Sequence, residues 1–175
     1  DFVVAAGQVM NKELAQNVLL DTARYLRFVE DEVVRLLNEG NWIEDIIDKV
    51  KVPADLAQKP WLQPIYGHTT FVIHGIHRRY AGWYNGNPAE LFPAKSTEIA
   101  GEIARLLGGD KILQSAKTVQ EAGKIQLALN IIDFTVKGTG DKKLLKVALL
   151  LKSELLKARA DIEPSYIARN IFRAG

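Results

Sequence analysis

Hydrophobic side chains recur at helical spacing through almost the whole chain, and only short loops separate the segments. Between Asn11 and Asn38 the apolar residues stand three, four or seven positions apart, which places them along one stripe of an α-helix. The same spacing predicts further helices at 41–50, 70–84, 96–107, 110–123, 124–137, 141–160 and after Pro164. Because loops of two or three residues force neighbouring helices to lie antiparallel, we predict an all-α fold of stacked antiparallel helical hairpins.

Turn and capping residues mark the ends of these helices. Gly40 is typical of a helix C-terminus, and Asn41 with Glu44 three positions later has the spacing of a capping box. Asp141 is predicted to cap the long helix that follows it. Asn85-Gly86-Asn87-Pro88 ends the helix predicted at 70–84. The first few residues, by contrast, form a short strand-like segment.

Composition excludes several classes of site and partner. The chain has no cysteine, so disulfides, thiolate metal sites and a cysteine nucleophile are excluded. A net charge of +2, with no run of Lys and Arg longer than two, gives no indication of a nucleic-acid partner. The longest apolar run, Val147–Leu151, is far shorter than the ~20 residues of a membrane span. The absence of cysteine and of a visible signal peptide favours a cytoplasmic location.

All three histidines of the chain fall within ten residues, next to two arginines. His74 and His77 are three positions apart and share a helix face, so they are a candidate metal pair. However, no carboxylate lies between Leu56 and Ala89, and a third ligand is missing. The residues favour instead a cationic, hydrogen-bonding surface of His74, Arg78 and nearby tyrosines that suits an anion such as sulfate or carboxylate. The plainer alternative is one packed histidine and two that face solvent.

Aromatic residues surround this cluster. They are either core residues or the lining of an apolar pocket, and they comprise Trp42, Trp61, Tyr66, Tyr80, Trp83 and Tyr84. The helical spacing predicts that His74 and Arg78 share one face with Tyr84 near its edge. Trp83 lies about a quarter-turn away, and we expect it to pack in the core.

Several motifs, taken together, resemble a known family. They are Asp21-Thr-Ala-Arg-Tyr-Leu, Leu37-Asn-Glu-Gly, Val52-Pro, Tyr66-Gly, Phe71-Val, Arg79-Tyr-x-Gly-Trp-Tyr-x-Gly-Asn-Pro-Ala-Glu-Leu and Ile167-Ala-Arg-Asn-Ile-Phe. In this order they resemble the alkyl sulfatase dimerisation domain, the helical domain that follows a zinc-binding metallo-β-lactamase domain in alkyl sulfatases and related hydrolases. The Tyr-x-Gly-Trp-Tyr-x-Gly-Asn-Pro block is the most specific part of the resemblance.

The resemblance implies a division of labour within a longer hydrolase. Residues 1–10 would be the remnant of the metallo-β-lactamase-like domain, and residues 11–175 the helical dimerisation domain. Zinc and the hydrolysis of the sulfate ester would belong to the absent catalytic domain, whose His-x-His-x-Asp-His motif this chain lacks. No cofactor, metal site or catalytic residue is therefore expected in this chain, and its expected partners are a second copy and that catalytic domain.

The resemblance also implies that the segment from Tyr66 to Tyr84 faces the zinc cleft and helps to hold the sulfate group. The candidate anion-binding residues are His74, Arg78, Tyr84, Tyr66 and His77. Many members of the family have arginine at position 74 and an aromatic residue at 77, so the two histidines are a departure.

Two other interpretations remain open at the level of sequence. One is a non-enzymatic helical scaffold of the hairpin kind that binds a protein or peptide. The other, which the residues favour less, is a histidine-based metal site. A tight dimer in solution would support the family interpretation, whereas a stable monomer would support the scaffold.

Overall fold

The computed structural model of the chain describes residues 2–5 and 8–175, with side chains from residue 9 onward. Its helices within this part of the chain are α1 Lys12–Asn38, α2 Ile43–Lys49, α3 Ala54–Ala57, α4 Thr69–Ala81, α5 Ser96–Leu107, α6 Gly109–Glu121, α7 Ile125–Gly138, α8 Lys142–Asp161 and α9 Tyr166–Ala174. Short 3-10 helices lie at Pro60–Leu62 and Pro88–Glu90. The predicted all-α class is confirmed. None of the described helices combines the length and the apolar run that a membrane crossing requires.

The strand-like N-terminal segment consists of two short strands, β1 Phe2–Ala5 and β2 Gln8–Asn11. They pair antiparallel, with Phe2 opposite Asn11, and β2 leads directly into α1. The side chain of Asn11 accepts a hydrogen bond of 2.8 Å from the amide of Leu14, which caps the helix. Of the residues assigned to a domain remnant, 1, 6 and 7 lie outside the described residues.

The chain divides into two compact units, one that ends at Leu91 (unit 1) and one from Phe92 to Gly175 (unit 2). The core of unit 1 forms where α1 meets α2 and α4. Its buried side chains, from the stripe predicted on α1 and from the facing segments, are Val29, Val33, Leu36, Ile43, Ile46, Val50 and Ile73. The α1 residues of this core are therefore buried, as the periodicity of the stripe predicts.

A network of charged side chains holds the 51–68 segment against α1. Asp21 is buried in α1, and its carboxylate lies 3.1 Å from the ammonium group of Lys59. Arg24, one turn along α1, forms a 2.9 Å ion pair with Asp55. These contacts fix the position of the loop that leads into α4.

Unit 2 is organised around α7. Helices α5, α6 and α8 all pack on α7, and α9 packs on α8. Its buried core consists of Ala116, Ala128, Leu129, Ile132, Ala148, Leu151 and Leu155. Successive helices joined by short turns confirm the predicted stack of hairpins.

Three of the predicted helix ends are wrong, each for a local reason. Trp42, not Asn41, stands at the N-cap of α2, and the Asn41 amide group instead donates to the carbonyl of Leu36 at 3.0 Å. The N-cap of α6 is Gly108, so this helix begins at Gly109, one residue before the predicted start. Helix α4 ends at Ala81 because Gly82 has φ +70°, a conformation that glycine adopts readily and that ends the helix. Gly40, with φ +77°, and Asp141, which accepts from the amide of Lys143, act as predicted.

Candidate functional site

Helix α4 presents two faces of different chemistry. His74 and Arg78, four residues apart, are both exposed and share one face, as their spacing predicts. Ile73 and His77 are buried and point toward the core of unit 1. The structure thus separates the two histidines that the sequence had grouped together: His74 is accessible to an anion and His77 is not.

Burial determines the charge of His77. Loss of solvent lowers the pKa of its imidazole, and the nearby His74 lowers that pKa further, against a smaller opposing effect of Glu44. The ordinary pKa of a histidine is already close to 6.5, so His77 is neutral at pH 7. A neutral, buried imidazole is a poor ligand for sulfate.

The two adjacent arginines differ in their partners. Arg79 lies 3.9 Å from the carboxylate of Glu30, which also accepts a 2.8 Å hydrogen bond from the hydroxyl of Tyr80. Arg78 has no acidic partner among the described residues, and it is exposed. Arg78 is therefore the cation of this pair that has its full charge available for an external anion.

A cavity of about 210 Å³ lies beside the N-terminus of α4, between α1 and the 61–69 loop. Its lining includes Tyr25, Trp61, His68 and Thr69. The hydroxyl of Tyr25 donates to Oγ1 of Thr69 at 3.0 Å, and the buried indole N–H of Trp61 has no hydrogen-bond partner among the described residues. The sequence gives no sign of this cavity, because its walls come from segments about 40 residues apart.

His68 is the N-cap of α4. Its Nδ1 accepts a hydrogen bond from the amide of Thr70 at 3.1 Å, which satisfies one of the free amides in the first turn of the helix. His68 therefore has a structural role at the start of α4.

The tyrosines of the predicted site lie outside the helix. Tyr66 is 71% exposed in the loop before α4. Tyr84 is half-buried beyond the end of α4, and its ring meets that of Trp83 edge-on at 6.5 Å between centroids. The prediction that Trp83 packs in the core is wrong, since Trp83 is 71% exposed. The turn at Gly82 redirects the chain, so the helical phase no longer applies to residue 83.

The Asn-Gly-Asn-Pro block closes a loop on itself. Asn85 donates to Glu90 at 2.7 Å, and its oxygen accepts from the amide of Asn87 at 2.9 Å. At Gly86, with φ +104°, a methyl group would lie 2.5 Å from Cδ1 of Trp42. The most specific motif of the chain therefore serves local structure, because it seats this loop on the indole of Trp42.

The described residues contain no group of three or more His, Asp and Glu side chains placed to hold a metal ion. On α4 itself, His74 is exposed and His77 is buried. The histidine pair considered in the sequence does not form a metal site within this part of the chain.

Comparison with known proteins places this arrangement in a family. The family described as alkyl sulfatase dimerisation matches residues 42–175. A linear primary-alkylsulfatase of Pseudomonas sp. (strain ATCC 19151) is 30% identical over 165 residues, which are 93% of this chain and 30% of the relative. An (R)-specific secondary-alkylsulfatase of Pseudomonas sp. is 26% identical over 125 residues, 70% of this chain and 19% of that protein.

The fold is also found among solved structures. A stereoselective inverting sec-alkylsulfatase from Pseudomonas sp. superposes with a TM-score of 0.85 at 23% identity, over 94% of this chain and 26% of the other. The chain thus spans less than a third of the length of these relatives. The match over residues 42–175 covers well over half of the sequence. The chain belongs to the alkyl sulfatase dimerisation family.

Proposed function

We propose that this chain is the self-associating, cleft-lining part of a hydrolase related to alkyl sulfatases. The observation that carries the proposal is the family match over residues 42–175, together with alkylsulfatase relatives three or more times as long as the chain. In this proposal residues 11–175 form the homodimer and one wall of the substrate cleft. Residues 1–10 are the remnant of a metallo-β-lactamase-like domain, and that domain carries out the hydrolysis of the ester.

Exposed leucines on α1 support self-association. Leu19 and Leu20 are 66% and 64% exposed, and other residues of α1 form its buried stripe. Adjacent positions lie about 100° apart on a helix, so the two side chains widen the apolar arc beyond what the core of unit 1 covers. Exposed apolar surface of this kind marks an interface, and a second copy is the partner that a dimerisation family supplies.

We expect the purified chain to be a dimer at micromolar concentration. A stable two-fold interface of the obligate kind buries roughly 2,000 Å² or more. Light scattering coupled to size exclusion measures the mass directly. Leu19→Glu should shift the mass to that of a monomer by placing a charge in the interface. Asn17→Glu, at an exposed polar position of the same helix, is the matched control and should leave the dimer intact. A monomeric wild-type chain would contradict the proposal and favour the helical scaffold.

The cleft-lining role rests on His74, Arg78 and Tyr84. The exposed His74 and Arg78 share a face of α4, and an imidazole beside a guanidinium offers hydrogen-bond donors suited to the oxygens of a sulfate group. Tyr66 precedes the helix in the sequence and Tyr84 follows it. A phenol group is therefore close in sequence to each end of α4. His77 was included in the predicted set, but its burial removes it from the proposal.

Zinc enters the proposal only as a component of the wider enzyme. The residues described here do not fit a zinc site, as no suitable group of ligands occurs among them. The metal would therefore be held by side chains outside this chain. This chain contributes to catalysis by orienting an anion beside that centre.

The anion site is tested by titration of sulfate into the isolated chain, followed by ¹H–¹⁵N chemical shifts. We expect saturable shifts of α4 amides, and Arg78→Ala should reduce the affinity several-fold without changing the melting temperature. Arg79→Ala is the matched control, because Arg79 already lies beside Glu30 and should contribute little. Equal effects of the two variants would show that α4 has no specific anion site.

A further inference from the structure

Unit 2 contains an apolar pocket that the proposed function does not use. Helices α5 and α6 both pack on α7 and touch each other less extensively than either touches α7, and the space between them is a pocket of about 400 Å³. Its apolar walls are Ile103, Leu106, Leu107, Ile112, Ile131 and Phe134. A concave, mostly apolar pocket of this volume falls in the range of small-molecule sites, roughly 300–1,000 Å³.

The packing of α5 keeps this pocket open. Ala100 is 1% exposed, and the backbones of α5 and α7 approach so closely that a methyl group on Gly138 would lie 2.2 Å from the carbonyl oxygen of Ala100. That contact fixes the first half of α5 on α7. Further along α5, Leu106 and Leu107 are 65% and 57% exposed, and they lie at the rim of the pocket.

One charged side chain lines the pocket, the exposed Lys111 in the first turn of α6. Within the described part of the chain its ammonium group pairs with no carboxylate. The hydroxyl of Ser115 lies one helical turn further along the same wall. The pocket thus combines apolar walls with a cationic and hydrogen-bonding edge.

We propose that this pocket is an accessory binding site for a single-chain anionic amphiphile, such as a fatty carboxylate or an alkyl sulfate. The alkyl tail lies between α5 and α6 on Ile131 and Phe134, and the anionic head group lies at Lys111. The charge at the edge favours this ligand over a neutral lipid. The pocket lies within unit 2, and the proposed anion-binding side chains of α4 lie within unit 1.

Decanoate below its micelle concentration is the probe, since it has the tail and the head group but no ester to hydrolyse. Titration into the chain should give saturable binding by calorimetry, with methyl shifts centred on Ile103, Ile112 and Ile131. Lys111→Gln should weaken binding about three- to fivefold, the effect of one partly exposed ion pair. Lys117→Gln, on the same helix but outside the pocket, should change it less than twofold. Decanol should bind the wild type and Lys111→Gln equally.

Three results would overturn the proposal: methyl shifts outside unit 2, equal effects of Lys111→Gln and Lys117→Gln, or no saturable binding. A further variant, Leu107→Gln, tests whether a second copy of the chain, and not an amphiphile, covers the pocket. If this variant becomes monomeric while the wild type is a dimer that binds no decanoate, the pocket is instead part of an interface between copies. The α1 variant tests self-association separately, so the two proposals can fail independently.

Discussion

Gly138→Ala is expected to destabilise unit 2 by about 3 kcal/mol, at the upper end of the usual cost of overpacking. The new methyl group would lie 2.2 Å from the carbonyl oxygen of Ala100, 2.5 Å from its carbonyl carbon and 2.9 Å from the amide nitrogen of Gly101. These are backbone atoms that cannot rotate away, so α5 has to move off α7. Urea unfolding followed by circular dichroism measures the loss, and hydrogen exchange should show reduced protection of the α5 amides.

Two other glycines provide the controls for this variant. Gly101 lies inside α5, and a methyl group there meets nothing within 4 Å, so Gly101→Ala should gain roughly 0.5–1 kcal/mol from helix propensity. Gly140, two residues after Gly138, also has open space around it. If Gly138→Ala is as stable as either control, the close approach of α5 and α7 is absent in solution. The pocket between α5 and α6 would then lose the contact that holds it open.

Periodicity and capping chemistry predicted most of the helices, because both are local. The α1 stripe of Val29, Val33 and Leu36 is buried as its spacing requires. Asp141 caps α8 through its own backbone neighbours, Lys143 and Leu144. Information of this kind is contained within one or two helical turns of the sequence, so no tertiary contact is needed to read it.

The site was harder to predict, since its features depend on long-range contacts and on one backbone conformation. Nothing in the sequence separates His74 from His77; the packing of α4 against α1 and α2 buries one and exposes the other. Trp83 is exposed because the chain turns at Gly82, one residue beyond α4. A helical wheel continued through this glycine assigns residue 83 to the wrong face.

The same limit applies to the pocket of unit 2. Leu106, Leu107 and Lys111 are close in sequence, but their pattern is that of an ordinary amphipathic helix followed by a turn. The pocket depends on the packing of α5 on α7 near Gly138, which is about 30 residues further along the chain. Only the combination of the two helices shows that these leucines surround a cavity.

A buried ion pair joins α8 to the turn before α9. Glu163 has a side chain only 5% exposed, and its Oε2 lies 3.1 Å from Nη2 of Arg159, which is 27% exposed. The other carboxylate oxygen accepts a 3.1 Å hydrogen bond from the amide of Ser165, the N-cap of α9. Arg169 completes the turn by donating to the carbonyls of Glu163 and Pro164. The carboxylate thus satisfies a cation and a buried amide at once.

Glu163→Ala should therefore cost about 3 kcal/mol, because it leaves both the guanidinium of Arg159 and the amide of Ser165 without their partner in a largely buried site. Glu163→Gln keeps an oxygen for the amide and loses only the charge, so it should cost less than Glu163→Ala. Asp161→Asn is the matched control: its partner Arg173 is 3.9 Å away, both side chains are more than half exposed, and the expected change is below about 0.5 kcal/mol. Urea unfolding of the three variants gives the order directly. Should Glu163→Ala unfold at the same urea concentration as Asp161→Asn, the pair would be a surface contact, and the position of α9 would depend on its apolar face alone.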